Sequence, residues 1–191
     1  MENLFRSERL VYRAVEESDE SFFHRIQSDV SAYANSDSGI LKPMTKKESK
    51  SHMEYVANKT LLGVIICLPP SEESGPIPTP IGSIYLTAPK SGEEHHRNAY
   101  ISVDIIKEFQ RKGYGGEAIH WATDWGFKIA GLHRVGIEHY SYNEGAERLY
   151  TRLGFTLEGR KRELLWHNGG WHDYLSYSIL ESEWAGIKAR G

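Results

Sequence analysis

Gln110-Arg111-Lys112-Gly113-Tyr114-Gly115-Gly116 decides the reading of this chain, because it lies between a strand-like run and a helix-like run. Upstream, Ala99-Tyr100-Ile101-Ser102-Val103-Asp104-Ile105-Ile106 is β-branched and aromatic with partial alternation. Downstream, Ala118, Trp121, Ala122, Trp125 and Ile129 recur at helical spacing. The first N–H groups of a helix have no carbonyl partner within it and carry the positive end of its dipole. Glycines let an anion approach that bare main chain. The junction therefore predicts a phosphate cradle, with a diphosphate as its natural guest.

At 191 residues the chain can bury a proper core, and one domain spanning 1–191 is the expectation. Lys+Arg 23 against Asp+Glu 26 leaves a formal charge of -3, so no overall basic field favours nucleic acid or an anionic membrane. The lone cysteine, Cys67, cannot form an internal disulfide, and its neighbours Val64, Ile65, Ile66 and Leu68 place it in a buried strand. Met1 to Arg6 lacks the apolar core of a signal peptide, and no run approaches the ~18 apolar residues of a membrane span. The cytoplasm, or cytoplasm plus nucleus, is the expected home.

Leu10 to Val15 reads as a first strand and Asp19 to Val30 as a first helix, with Phe22, Phe23 and Ile26 on one face. Thr45 and Glu48 have capping-box spacing and open a second helix toward Lys59. Leu61 to Leu68 and Ile81 to Thr87 read as strands. The segment between them, residues 69–80, holds five of the seven prolines and predicts a long, solvated hairpin loop. His95 and His96 follow Glu93 and Glu94 in a polar turn, without further ligands at metal-binding spacing, so no metal is expected. A helix to about Ile129, a strand Val135 to Tyr140, a short helix Glu144 to Leu153 and strands flanking Asn168-Gly169-Gly170 complete the pass. Asn143 is placed as the N-cap of the short helix and Gly154 as its left-handed stop.

Two phosphate-binding patterns fit the loop. Gly113-Tyr114-Gly115-Gly116-Glu117-Ala118 satisfies the dinucleotide pattern G-x-G-x-x-G/A, with Glu138 near the position of a ribose-binding acid. That fold wants its first glycine directly after the strand, whereas Lys107 to Lys112 intervene here, and only about fifty residues follow Glu138. A P-loop is excluded, since no G-x-x-x-x-G-K-[ST] occurs. The other pattern is Gln110-x-x-Gly113-x-Gly115, which resembles the [QR]-x-x-G-x-[GA] loop of the GNAT superfamily of N-acetyltransferases. Asn143-x-x-Ala146-x-x-x-Tyr150-x-x-Leu153-Gly154-Phe155 resembles that family's second signature and falls at the right distance downstream. The tail, from Glu158-Gly159-Arg160-Lys161-Arg162 through Gly170-Trp171-His172-Asp173 to Trp184, is similar to the RimJ/RimL-like branch, which contains the ribosomal-protein-alanine acetyltransferases. The likeness covers nearly the whole chain, with the proline-rich loop as a departure.

The resemblance implies an α/β GNAT fold: a mixed, mostly antiparallel sheet flanked by helices, with a splayed central strand pair. It implies direct acetyl transfer from acetyl-coenzyme A to a primary amine, which is a small molecule or a protein N-terminus. Gln110, Arg111, Lys112, Gly113, Tyr114, Gly115 and Gly116 would hold the coenzyme's pyrophosphate. Val103 or Ile105 would donate its amide to the thioester oxygen, and Asn143 and Ala146 would lie along the pantetheine arm. Tyr150 matches the family's proton donor to the leaving thiolate. Glu138 is the candidate base, with Asp104 its rival. Tyr33, Asn35, Trp166, Trp171 and Tyr174, with His172, occupy regions that wall the acceptor side in related folds. A homodimer is an assembly the resemblance allows. A nucleotide-cofactor oxidoreductase and a non-catalytic acyl-coenzyme A sensor remain the alternatives.

Overall fold

The structure, a computed structural model, describes residues 3–72 and 75–188. It divides into two compact units, Met1–Ala88 with Ser102–Ala122, and Pro89–Ile101 with Thr123–Gly191.

The first unit is built on three antiparallel strands, β1 (Val11–Ala14), β2 (Thr60–Leu68) and β3 (Thr79–Thr87), with residues 102–105 of β4 (Asn98–Ile105) next to β3. Val64 to Cys67 of β2 are all buried, the continuous apolar run of a strand covered on both faces. Ile65 and Cys67 pack with Phe23 of α1 (Glu20–Ser28) and with Met53 and Val56 of α3 (Lys46–Asn58). Cys67 is thus a core residue, and burial pushes its thiol pKa up. The Thr45–Glu48 capping box forms as expected: Glu48 N–H donates to Thr45 Oγ1 at 3.2 Å and Thr45 N–H to Glu48 Oε2 at 3.0 Å.

Two local expectations shift. The first helix ends at Ser28, because Asp29 leaves helical geometry (ψ 89°) and its carboxylate caps a separate turn, α2 (Val30–Tyr33), accepting from Ala32 N–H at 3.2 Å. The β2–β3 hairpin is shorter-looped than residues 69–80, since Thr79 and Pro80 already belong to β3. Pro80 lies opposite Cys67 where the register shifts, a position that tolerates a residue without an N–H. Glu73 and Ser74 lie outside the described residues.

The second unit holds Asn98–Ile101 of β4, then β5 (Arg134–Tyr140), β7 (Gly170–Leu180) and β6 (Thr156–His167), in that spatial order. The β4–β5 ladder is parallel and covers Asn98↔Arg134 to Ile101↔Ile137, while β4 runs on to Ile105 and β5 to Tyr140. β6 and β7 form a hairpin through Asn168 and Gly169, whose φ values of 46° and 82° are those of a two-residue type I′ turn. Asn143 caps α5 (Glu144–Arg152) by accepting from Ala146 N–H at 3.2 Å, and Gly154 ends it at φ 90°. A C-terminal helix, α6 (Glu181–Lys188), escaped the sequence reading; Glu183 anchors its start by accepting Leu180 N–H at 2.8 Å. No described helix is long and apolar enough to cross a membrane.

Gly82 on β3 sets the spacing to the second half of β4. A Cβ there would lie 2.2 Å from the backbone oxygen of Asp104. Gly82→Ala should therefore cost about 1–3 kcal/mol of stability by overpacking, read as a lower urea midpoint at unchanged slope.

Candidate functional site

The glycine loop lies in the first unit. β4 ends at Ile105, one 3-10 turn (Lys107–Phe109) follows, and Gln110 then folds back so that its Nε2 donates to Ile105 O at 2.8 Å. The backbone turns left-handed at Arg111 (φ 59°) and Gly113 (φ 87°) before entering α4 (Tyr114–Lys128). Glu117 N–H, at 3.1 Å from Gly113 O, makes the helix's first backbone bond. Among the described residues, the amides of residues 111–116 find no acceptor. Arg111 and Lys112 are exposed beside them.

An interaction that the sequence reading missed holds this loop. Glu117 Oε1 accepts from the Arg9 backbone N–H at 2.7 Å and from Ser7 Oγ at 2.7 Å, and Oε2 accepts from Arg9 Nε at 2.8 Å. Arg9 Nη1 donates to Lys112 O at 3.1 Å, its guanidinium lies 4.7 Å from the Tyr114 ring centroid, and a Cβ on Gly113 would meet Nη2 at 3.1 Å. Arg9 therefore brings a third cation to the loop. Behind it, Tyr12 stacks on Trp121 with centroids 3.6 Å apart, and Trp121 Nε1 donates to Leu4 O at 3.0 Å.

Also in the first unit, Asp104 of β4 is half-buried and accepts from Ser36 Oγ at 2.7 Å. Burial raises its pKa and the nearby Asp37 adds to this, against the Ser36 hydrogen bond and His52. Tyr33 donates to Asp37 Oδ2 at 2.7 Å, and burial and Asp37 both push its phenol pKa up. Asn35, just after α2, instead turns back on that helix, donating to Ser31 O at 3.0 Å.

In the second unit, Glu138 of β5 is exposed, and Tyr174 of β7 hydrogen-bonds to it. Burial first, and that carboxylate second, raise the Tyr174 pKa. Tyr150 of α5 is buried, with its ring edge-on to His139 (5.8 Å) and Tyr177 (6.0 Å). His139 Nδ1 lies 3.0 Å from Tyr140 O, and a carbonyl can only accept, so the proton sits on Nδ1. Its Nε2 is buried without a hydrogen-bond partner among the described residues. Trp166 and Trp171 face each other across β6–β7, 5.1 Å apart and 62% and 59% exposed, at the hairpin's tip. His172 joins Tyr142, whose ring stacks on His167 at 4.3 Å. His95 and His96 are exposed, and no group of described residues could hold a metal ion.

The model of the acetyltransferase (GNAT) domain matches residues 9–156. The chain belongs to the GNAT acetyltransferase family. Among its relatives, the spermidine N(1)-acetyltransferase of Vibrio cholerae is 34% identical over 89 residues, 47% of this chain and 51% of that protein. The [ribosomal protein uS5]-alanine N-acetyltransferase of Escherichia coli is 27% identical over 85 residues, 44% of either chain. The chain spans about half the length of the curated relatives it matches. The crystal structure of the Vibrio cholerae spermidine N-acetyltransferase with CoA and spermine superposes with a TM-score of 0.76 at 23% identity, over 94% of this chain and 99% of that one. This likeness bears out the GNAT fold.

This GNAT domain keeps Glu117 ionised. Burial alone would raise its pKa, but the hydrogen bonds from Arg9 and Ser7 outweigh it and hold the pKa below the ordinary carboxylate value. A carboxyl with a depressed folded pKa stabilises the fold above the unfolded value, near 4.3, and loses that contribution as pH falls through the folded one. Glu117→Gln should therefore lower stability by about 1–3 kcal/mol at pH 7. Thermal melts of variant and wild type should converge as the pH falls below ~4.

Proposed function

We propose that this chain, residues 1–191, is a single N-acetyltransferase domain that moves an acetyl group from acetyl-coenzyme A directly to a primary amine. The observation that carries this reading is the row of amides at residues 111–116, without acceptors among the described residues, at the mouth of a 15-residue helix with Arg9, Arg111 and Lys112 beside it. Bare donors, the positive end of a helix dipole and three cations suit a diphosphate.

In the proposed reaction the neutral amine attacks the thioester carbon, so a C–N bond forms and the C–S bond breaks. The Val103 or Ile105 amide donates to the thioester oxygen as it gains negative charge, a contribution of roughly 3 kcal/mol to lowering the barrier. The amine's proton passes, directly or through water, to Glu138, whose carboxylate is exposed and already accepts a hydrogen bond from Tyr174. Tyr150 gives its proton to the departing thiolate. Asn143 holds the pantetheine arm through the side-chain amide nitrogen, its oxygen being engaged in capping α5. The relatives' names point to two acceptor classes, a polyamine and the N-terminal alanine of a protein.

Acetyl-coenzyme A at 100 times its dissociation constant should add about 2.7 kcal/mol to the unfolding free energy, and a nicotinamide dinucleotide should add nothing. Stabilisation by the dinucleotide alone would favour the oxidoreductase reading. Tyr150→Phe should lower kcat about 10²–10⁴-fold in a thiol-release assay while keeping the acetyl-coenzyme A thermal shift. A protein that binds acetyl-coenzyme A and releases no thiol with any amine would be a sensor.

A further inference from the structure

Two carboxylates of the first unit share one neighbourhood, with His52 in the field of both. Asp104 accepts from Ser36, and the next residue, Asp37, accepts from Tyr33 through Oδ2 and from Gly39 N–H through Oδ1 at 2.5 Å. Each carboxylate lies in the field that His52 and Tyr85 feel. Among the described residues neither is in an ion pair. Two like charges in a partly dry site repel, and burial with this repulsion pushes the Asp104 pKa up.

An independent feature points the same way. Gln27 is 4% exposed, and its Nε2 reaches the Tyr33 hydroxyl of this cluster at 3.4 Å. Its Oε1 is left as a buried acceptor with no hydrogen-bond partner among the described residues, an unfavourable state unless a donor arrives. Ser36 and Tyr33 already spend their hydroxyl protons on the two aspartates. At Asp37, Asp104 and Gln27 themselves, what remains unfilled is acceptor capacity. Beside it stand aromatic rings: His52 lies 6.4 Å from Tyr55 and 6.2 Å from Tyr85, and Tyr55 lies 5.8 Å from Tyr85.

The ligand that fits acceptors without donors is a cation that donates without accepting. No group of described residues here could hold a metal ion. An alkylammonium meets the requirement, and its methylene arm suits tyrosine faces. A peptide N-terminus fits less well, since the carbonyl next to its amine needs a donor.

We propose that Asp37, Asp104 and the Gln27 carbonyl recognise a second, non-reacting ammonium of an aliphatic diamine or polyamine acceptor, with Tyr55 and Tyr85 against its methylene arm. This rests on the acetyl-transfer reading and selects between its two acceptor classes.

The test compares 1,4-diaminobutane, spermidine, butylamine and an alanine-initiated peptide as acceptors for wild type, Asp37→Asn and Gln27→Met. The diamine and spermidine should exceed butylamine and the peptide at least tenfold in kcat/KM. Asp37→Asn should raise the diamine KM at least tenfold and bring the diamine-to-butylamine ratio near one, with Gln27→Met acting in the same direction. The acetyl-coenzyme A thermal shift, retained in both variants, shows that they fold. Equal kcat/KM for diamine and butylamine, preference for the peptide, or a ratio unchanged in Asp37→Asn would overturn the proposal. If no amine is acetylated, the transfer reading fails on its own, and calorimetric titration of spermidine decides the site: binding that Asp37→Asn abolishes supports it, and absence of binding overturns it.

Discussion

The Glu117 carboxylate, in the first turn of α4, takes three donors from the Ser7–Arg9 segment, and the proposed phosphate cradle depends on this contact. Had that carboxylate bent back to cap its own helix, it would have consumed the amides that a diphosphate needs. Occupied from outside, it leaves them bare. The same contact delivers the Arg9 guanidinium to the loop, where Lys112 O and the Tyr114 face hold it in place. An acid at a helix N-terminus would ordinarily compete with an anionic ligand for the dipole. Here its charge is answered by an arginine, so the local field stays positive.

The candidate chemistry is divided between two environments with opposite physical demands. The first unit supplies cations and bare amides at the loop, and acceptors with capacity to spare at Asp37, Asp104 and Gln27. Such surfaces suit a polyanionic donor and a cationic acceptor respectively. The second unit carries the groups proposed for proton transfer. Tyr150 is buried among rings, while Glu138 is exposed and hydrogen-bonded by Tyr174. A base that must exchange protons with solvent belongs at the surface, and a phenol that must meet a thiolate is better kept from competing water.

Local features were the legible ones. The Thr45–Glu48 box, the Asn143 cap, the left-handed Gly154 and the Asn168–Gly169 turn all act within four residues of themselves, so spacing reveals them. The strand-loop-helix order around Gly113 was readable for the same reason. The break at Asp29 was not, because an aspartate inside an apolar periodicity becomes a cap only when the following turn changes direction. Nor was α6, whose short run after β7 carries no cap residue of the Ser, Thr, Asp or Asn type at its start.

By itself, then, the sequence determined the element order apart from α2 and α6, the glycine loop and the acids, tyrosines and caps available for chemistry, since these follow from hydrogen bonds and periodicities that close within a turn or a strand. Tertiary structure alone decided which distant side chains meet: Arg9 with Glu117, Ser36 with Asp104, Tyr174 with Glu138. Such pairs depend on strand register and on the angle at which helices settle on a sheet. A shift of one residue in a strand turns its side chains to the other face. No pattern of residue types along the chain encodes that choice, because it is made by the packing of the whole core.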